Sequence, residues 1–359
     1  MKPKYSVPSM KEVKKAKGSN GFTMVSSFSG CGGSCLGFEM AGFNLLWANE
    51  FIPEARETYR ANHDDVILDG RDVREVKGSE ILEAIGLEVG ELDLFEGSPP
   101  CSSFSMAGSR EKAWGKVKSY SDSEQRADDL FFEYSRLIKE IQPKTFIAEN
   151  VSGLVRGTAL GYFREILRDL RANGYNVEAK LLDASWLGVP QARKRIIFIG
   201  VRNDLVEKYK VAPVFPSPFA YQYSLDEALK GVEALEEYLD PETLCDISLD
   251  RYAIGSEWDK TPVGKSSDKY FQLVKPNPSK PIGTITASIG SMSAASQVHP
   301  LEKRKFTLEE LRLLSSFPAD FVLTGTYQQR CERIGRSVPP LMAKAIGETI
   351  AREILAKTL

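Results

Sequence analysis

The sequence is poor in histidine, and its cysteines form no paired framework. Only His63 and His299 occur among 359 residues, beside five cysteines: Cys31, Cys35, Cys101, Cys245 and Cys331. Cys31 and Cys35 have no second Cys/His pair near them, so no metal site is expected. An odd set of thiols fits a reducing compartment better than a disulfide scaffold. No apolar run is long enough to span a bilayer, and the Lys-rich start lacks the apolar segment of a secretory signal. These features lead us to expect no membrane partner and a cytoplasmic location. Charge of one sign is also missing: Lys plus Arg number 47, Asp plus Glu 49, for a net of −2. The whole molecule is not a polycation, so any nucleic-acid surface must be local.

What is present is an ordinary globular composition, 42% hydrophobic and 27% charged. The length suggests about two domains. Residues 1–21 carry Lys2, Lys4, Lys11, Lys14, Lys15 and Lys17, either as a solvated arm or as a phosphate-contacting one. From Phe22 onward, short apolar runs alternate with amphipathic stretches. Phe22–Phe28, Leu45–Ala48, Leu92–Phe95, Thr145–Ala148 and Arg195–Val201 read as strands. Pro53–Asn62, Asp128–Ile141 and Leu160–Asn173 read as helices. This alternation predicts an α/β fold with a doubly wound, mostly parallel sheet, whose ligands sit at the carboxyl ends of the strands. After about Val201 the chain turns rich in Pro, Ser and aromatics, which predicts a smaller loop-rich domain. Helical periodicity returns at Thr307–Ser316 and Pro339–Leu355.

Four segments carry chemistry. Phe28-Ser29-Gly30-Cys31-Gly32-Gly33 follows a strand and opens a helix. Glycines there let a backbone approach a ligand closely. Glu50, after the second strand, stands where an acid commonly binds a ribose hydroxyl. The glycine spacing is not that of a dinucleotide-binding dehydrogenase. Gly97-Ser98-Pro99-Pro100-Cys101-Ser102-Ser103-Phe104-Ser105 places a thiol behind two prolines at a strand's carboxyl end. Such a thiol is either a small core residue or a nucleophile. Glu149-Asn150-Val151 ends another strand at the same edge. In Gln191-Ala192-Arg193-Lys194-Arg195, strand alternation would put Arg193 and Arg195 on one face. They could serve an oxyanion or a phosphate there, or simply form a solvated basic edge.

In this order the segments resemble the DNA (cytosine-5)-methyltransferase family along nearly the whole chain. Two later segments extend the likeness: Arg304–Phe321 and Gly335-Arg336-Ser337-Val338-Pro339. The resemblance implies a methyltransferase, Rossmann-like sheet. It implies a catalytic and donor-binding domain at 1–203, completed by 330–359, and a target-recognition domain at 204–329. It also implies extrusion of a cytosine from double-stranded DNA, addition of Cys101 to ring carbon 6, and methylation of carbon 5 from S-adenosyl-L-methionine without a metal. Cys101, Glu149, Arg193 and Arg195 would be the catalytic residues. Phe28, Gly30, Gly33, Glu50, Phe51, Asp72, Val73, Pro100, Leu130, Arg336, Ser337 and Val338 would hold the donor. Ser105, Thr284 and Thr286 would contact nucleic acid. A monomer, a separately encoded cognate restriction endonuclease and association with the nucleoid are expected as well.

Two positions depart from the family pattern. Ser102 stands where glutamine is usual, and Arg336 where asparagine is usual. A buried arginine wants an anionic partner. Three partners are open to it: a DNA phosphate or solvent, an acid of this chain, or a carboxylate on the donor. The last would make carboxy-S-adenosyl-L-methionine the donor and 5-carboxymethylcytosine the product. Two further alternatives are a transfer-RNA cytosine methyltransferase and a non-catalytic DNA-binding module. The intact set of Cys101, Glu149, Arg193 and Arg195 weighs against the module.

Overall fold

The computed structural model describes residues 2–100, 129–157 and 159–359, with the backbone alone of 118–120 and 123–125. The chain divides into two compact units. The larger comprises Val13–Leu182, Lys194–Pro216 and Ala343–Leu359. The smaller comprises Met1–Glu12, Asp183–Arg193 and Ser217–Met342.

The larger unit is built on a seven-stranded sheet. Its strands are β1 (Thr23–Ser27), β2 (Asn44–Asn49), β3 (Ile67–Asp69), β4 (Leu94–Gly97), β7 (Thr145–Val151), β8 (Tyr175–Asp183) and β9 (Lys194–Arg202). Two short strands, β5 (Lys118–Tyr120) and β6 (Ser123–Gln125), pair antiparallel outside this sheet. The order is β3-β2-β1-β4-β7-β9-β8. Strands β1 to β4 and β7 are mutually parallel, and β9 runs antiparallel to β7. The α/β sheet expected from the alternation is therefore the one observed. Strand order reverses between β1 and β4, and ligands of such sheets collect outside the carboxyl ends at that point.

Burial explains why these segments are strands and helices. Strand β1 is buried from Met24 through Ser27, as a covered parallel strand must be. Helix α5 (Leu130–Ile141) repeats apolar residues every three to four positions and buries Leu130, Phe131, Tyr134, Leu137, Ile138 and Ile141. These pack with Val25, Phe95, Phe146 and Phe198 in one core, each large side chain contributing about 1.5–3 kcal/mol. Helices α2 (Gly33–Met40), α3 (Pro53–Asn62), α4 (Gly78–Ile85), α6 (Ala159–Ala172) and α7 (Asn203–Tyr209) complete the alternation.

The smaller unit is loop-rich. It holds α8 (Leu225–Ala228), α9 (Ala253–Lys260), a two-stranded ribbon of β10 (Lys265–Ser266) and β11 (Val274–Lys275), α10 (Leu308–Leu314) and α11 (Tyr327–Arg336). A small core of Leu249, Ile254, Leu273 and Val298 supports it. The Arg304–Phe321 segment is built around a buried ion pair. Arg304 donates to both Glu310 carboxylate oxygens at 2.8 Å. Glu310 also closes a capping box with Thr307 at the start of α10. In the Lys-rich N-terminal segment, α1 (Met10–Ala16) is helical. Lys14 pairs with Asp64, and Lys17 with Asp65 and Glu39. No helix among the described residues is long and apolar enough to cross a membrane.

Candidate active site

Three chain segments leave the carboxyl ends of β1, β4 and β7. The turn after β1 depends on unusual backbone. Phe28, Gly30 and Gly32 all have positive φ, at 55°, 57° and 92°. A Cβ on Gly32 would lie 2.5 Å from His63 Nε2, so only glycine lets α2 start there. At Gly30 a Cβ would meet nothing within 4 Å, which leaves open space above the turn. Gly33 is the first residue of α2.

Glu50 is buried and clamps this turn. Its Oε2 accepts from the Gly30 amide and its Oε1 from the Ile52 amide, both at 2.7 Å. Phe51 beside it is half-buried. Asp72 caps the turn at Val73–Glu75 and pairs with Arg74 at 2.9 Å. The side chains of Val73 and Leu130 are 2% and 0% exposed and belong to the core. Asn49, which the sequence does not single out, donates to the carbonyls of Asp69 and Arg71 and ties β2 to β3.

After β4 come Ser98, Pro99 and half-buried Pro100. Cys101 and Ser105 lie outside the described residues. The proline segment is held from β7, where buried Asn150 donates through Nδ2 to the Pro99 carbonyl at 3.3 Å. Pattern alone marks Glu149-Asn150-Val151 as a strand end but does not assign Asn150 this contact.

Glu149 and Arg195 are brought together. In the antiparallel β7–β9 register Glu149 faces Ile197 and Val151 faces Arg195. The two side chains are therefore diagonal neighbours on one face. Arg195 Nε donates to Glu149 Oε1 at 2.7 Å, with the side chains 14% and 15% exposed.

Arg193 is placed differently from the expectation of a shared face. Strand β9 begins at Lys194, so alternation does not extend back to Arg193, which belongs to the smaller unit. There it is buried and donates to the carbonyls of Ile285 at 3.0 Å and Arg336 at 3.4 Å. Within that unit the late motifs converge. Gln191 Oε1 accepts from the Ile285 amide, and Thr284 Oγ1 donates to the Ala192 carbonyl at 2.9 Å. Thr286 shares a hydrogen bond with Ser288. A Cβ on Gly335 would sit 2.3 Å from the Thr286 carbonyl oxygen, so glycine is required for α11 to pack there. Ser337 Oγ donates to the Arg333 carbonyl, and Val338 is buried.

Of the three partners open to Arg336, the structure provides an acid of this chain beside partial exposure to solvent. Arg336 is 40% exposed, and its Nε donates to Glu332 Oε1 at 2.7 Å, one turn back on α11. An acid of this chain answers its charge. This pair gives a carboxylated donor no support. Among the described residues no cluster of His, Cys, Asp and Glu could hold a metal.

Comparison with known proteins agrees with this geometry. The model of the C-5 cytosine-specific DNA methylase family matches residues 22–352. Type II methyltransferase M.PspPI of Psychrobacter is 32% identical, over 94% of this chain and 81% of its own length. Type II methyltransferase M1.HphI of Haemophilus parahaemolyticus is 30% identical, over 92% of this chain and 87% of its own. Among solved structures, a prophage-encoded protein of E. coli assigned as a DNA modification methyltransferase superposes with a TM-score of 0.74. It is 21% identical, and the match covers 93% of this chain and 99% of that one. Spodoptera frugiperda DNMT2 superposes with a TM-score of 0.64 at 18% identity, covering 94% of this chain and 99% of its own. These two show a shared fold.

Proposed function

Because the chain belongs to the C-5 cytosine-specific DNA methylase family, we propose that Cys101, Glu149 and Arg195 carry the methylation of cytosine carbon 5 in DNA, and that the turn after β1 holds the donor. The family's reaction uses S-adenosylmethionine, which supplies an activated methyl group. The positive-φ turn, open at Gly30 and tightly packed at Gly32, suits such a ligand. Glu50 fixes that turn, and we assign its carboxylate to the ribose hydroxyls, for which it is an acceptor. Phe51 offers an aromatic face to adenine, and Asp72 an acceptor to its amino group.

The target base must leave the duplex before its ring carbons can be reached. The Cys101 thiolate then adds to carbon 6. Glu149 holds the N3 edge and delivers a proton there, which makes the ring a better electrophile. Arg195 orients Glu149 and offers its remaining N–H groups to the O2 side, where negative charge develops. Carbon 5 takes the methyl group, loses its proton to a base, and the carbon–sulfur bond breaks to release Cys101. Arg193 acts as a buried post for the Thr284–Ala287 segment, whose hydroxyls we assign to the backbone around the extruded base. We assign target recognition to the smaller unit. The pairing of Arg336 with Glu332 supports methyl as the transferred group.

The observation that carries this reading is the Glu149–Arg195 pair, at the same sheet edge as the Pro99–Pro100 segment that leads into Cys101. Nucleoside mass spectrometry on DNA from cells expressing the protein tests it, with Cys101→Ala alongside. A methyl increment on deoxycytidine that disappears in the variant is expected. Modified RNA with unmodified DNA would overturn the choice of polymer.

A further inference from the structure

Strand β4 reads Leu94-Phe95-Glu96-Gly97, and all four residues are buried. Glu96 is 3% exposed. The fold alone would be better served there by an apolar side chain, because burying a carboxylate costs several kcal/mol unless hydrogen bonds repay it. Glu96 is repaid by hydroxyls drawn from two functional loops. In the parallel register it lies directly across from Ser26 of β1, and Ser26 Oγ donates to Glu96 Oε2 at 2.6 Å. Ser26 Oγ lies 2.9 Å from Ser29 Oγ, inside the glycine-rich turn. Ser34, in the first turn of α2, also bears on the carboxyl. On its other oxygen, Oε1, Glu96 accepts from Ser98 Oγ at 3.3 Å. Ser98 opens the proline segment before Cys101.

We propose that Glu96 is a positioning residue for methyl transfer, whose carboxylate ties the donor turn, through Ser26, Ser29 and Ser34, to Ser98 at the head of the nucleophile loop. This rests on the reading that these two loops hold the donor and Cys101. Transfer requires the methyl group and ring carbon 5 in line while the thiol is bonded to carbon 6. A misplacement of about 1 Å between such groups costs roughly a hundredfold in rate. One buried acceptor shared by both loops fixes that separation.

The protonation state decides whether the tie holds. A carboxylate accepts from Ser26 and Ser98 together. A neutral acid donates its own proton on one side, so the hydroxyl there must rotate to accept, and both contacts lose the charge assistance that makes hydrogen bonds to a carboxylate roughly twice as strong. Burial pushes Glu96 up to about 7, Glu149 on β7 adds to this, and the three serine hydroxyls pull it partly back. Among the described residues, the other titratable groups facing it are Cys35 on α2, pushed up to about 12, and Tyr59 on α3 and Tyr134 on α5, both also raised by burial. The tie is therefore complete above about pH 7 and loosens below it.

The test is kcat and KM for S-adenosylmethionine and for DNA, measured from about pH 6 to about pH 9 on wild type, Glu96→Gln, Ser26→Ala and Ser98→Ala. Glutamine keeps the shape but must donate on one side, so it mimics the protonated state at every pH. Wild-type kcat should climb through a limb near pH 7. Glu96→Gln should lose that limb, fall roughly tenfold below wild type at about pH 8, and converge with it at about pH 6. KM for DNA should stay within about twofold of wild type. A wild-type profile in Glu96→Gln overturns the proposal. If that variant fails to bind S-adenosylhomocysteine, the two serine variants decide instead, and unchanged kcat at about pH 8 in both overturns it. Cys101→Ala separates the two readings. Transfer that survives in it refutes the nucleophile assignment and leaves the Glu96 profile interpretable on its own.

Discussion

Replacing Arg195 by alanine removes the partner of Glu149 without touching the nucleophile or the donor turn. The pair is short, 2.7 Å, and both side chains are about one-seventh exposed. At an effective dielectric of about 20 the gross attraction is about 6 kcal/mol. Desolvation offsets most of it, and hydrogen bonds to charged groups contribute a net of about 1.5–3 kcal/mol. If Glu149 must be oriented in the transition state, kcat/KM should fall by roughly 10- to 150-fold, at about 1.4 kcal/mol per decade. Arg195→Lys keeps the charge but not the planar fork, and should recover only part of the loss. Methyl transfer to DNA from labelled S-adenosylmethionine reads the effect. Binding of S-adenosylhomocysteine checks that the donor site survives. An Arg195→Ala enzyme within about twofold of wild type, with its fold intact, would refute the reasoning.

Gly32→Ala should cripple the donor turn, because its methyl group would strike His63 at a positive φ. We expect at least a tenfold rise in the dissociation constant for S-adenosylhomocysteine by calorimetry, about 1.4 kcal/mol. Arg304→Ala leaves Glu310 buried without its bidentate partner and should cost about 3–5 kcal/mol of stability in denaturant unfolding. Burial pushes the Lys305 ammonium down to about 8, below the ~10.4 of an unfolded lysine. The fold therefore prefers the neutral amine, and stability from this group should rise as pH climbs from about 8 to about 10.4. Lys305→Met should flatten that rise, and an unaltered slope would show that another group causes it.

The alternation of apolar runs and amphipathic stretches makes the sheet legible, along with the turn after β1 and the strand-end placement of Glu149. Other parts depend on tertiary partners that no local pattern reveals. Strand β3 has only three residues, too few for a period. Strand β8 exposes several of its nine residues, so its alternation is broken. Helix α11 is highly polar, with Gln328, Gln329, Arg330, Glu332, Arg333 and Arg336 among its ten residues, and its buried stripe holds only three apolar side chains, Tyr327, Cys331 and Ile334. Arg193 looks like a strand residue because the basic run continues into β9, yet the strand begins one residue later and its guanidinium turns to backbone carbonyls. Glu96 carries a faint sequence signal, an acid between Phe95 and Gly97 in an apolar run. Its partner Ser26 becomes visible only through the parallel register of β1 and β4. Arg336 stands out as a departure from a family pattern, and Glu332, one helical turn away, accounts for it once α11 is in place.

Covalent trapping tests the central claim most directly. A DNA duplex carrying 5-fluorocytosine cannot lose its carbon-5 substituent as a proton, so an enzyme that adds a thiolate to carbon 6 and then methylates stays bonded to the base. Incubated with S-adenosylmethionine and many candidate sites, the wild-type protein should give a denaturation-resistant DNA adduct whose peptide mass maps to Cys101. No adduct should form without S-adenosylmethionine or with Cys101→Ala. An adduct mapped to another cysteine, or 5-methylcytosine produced by the Cys101→Ala protein, would contradict the account.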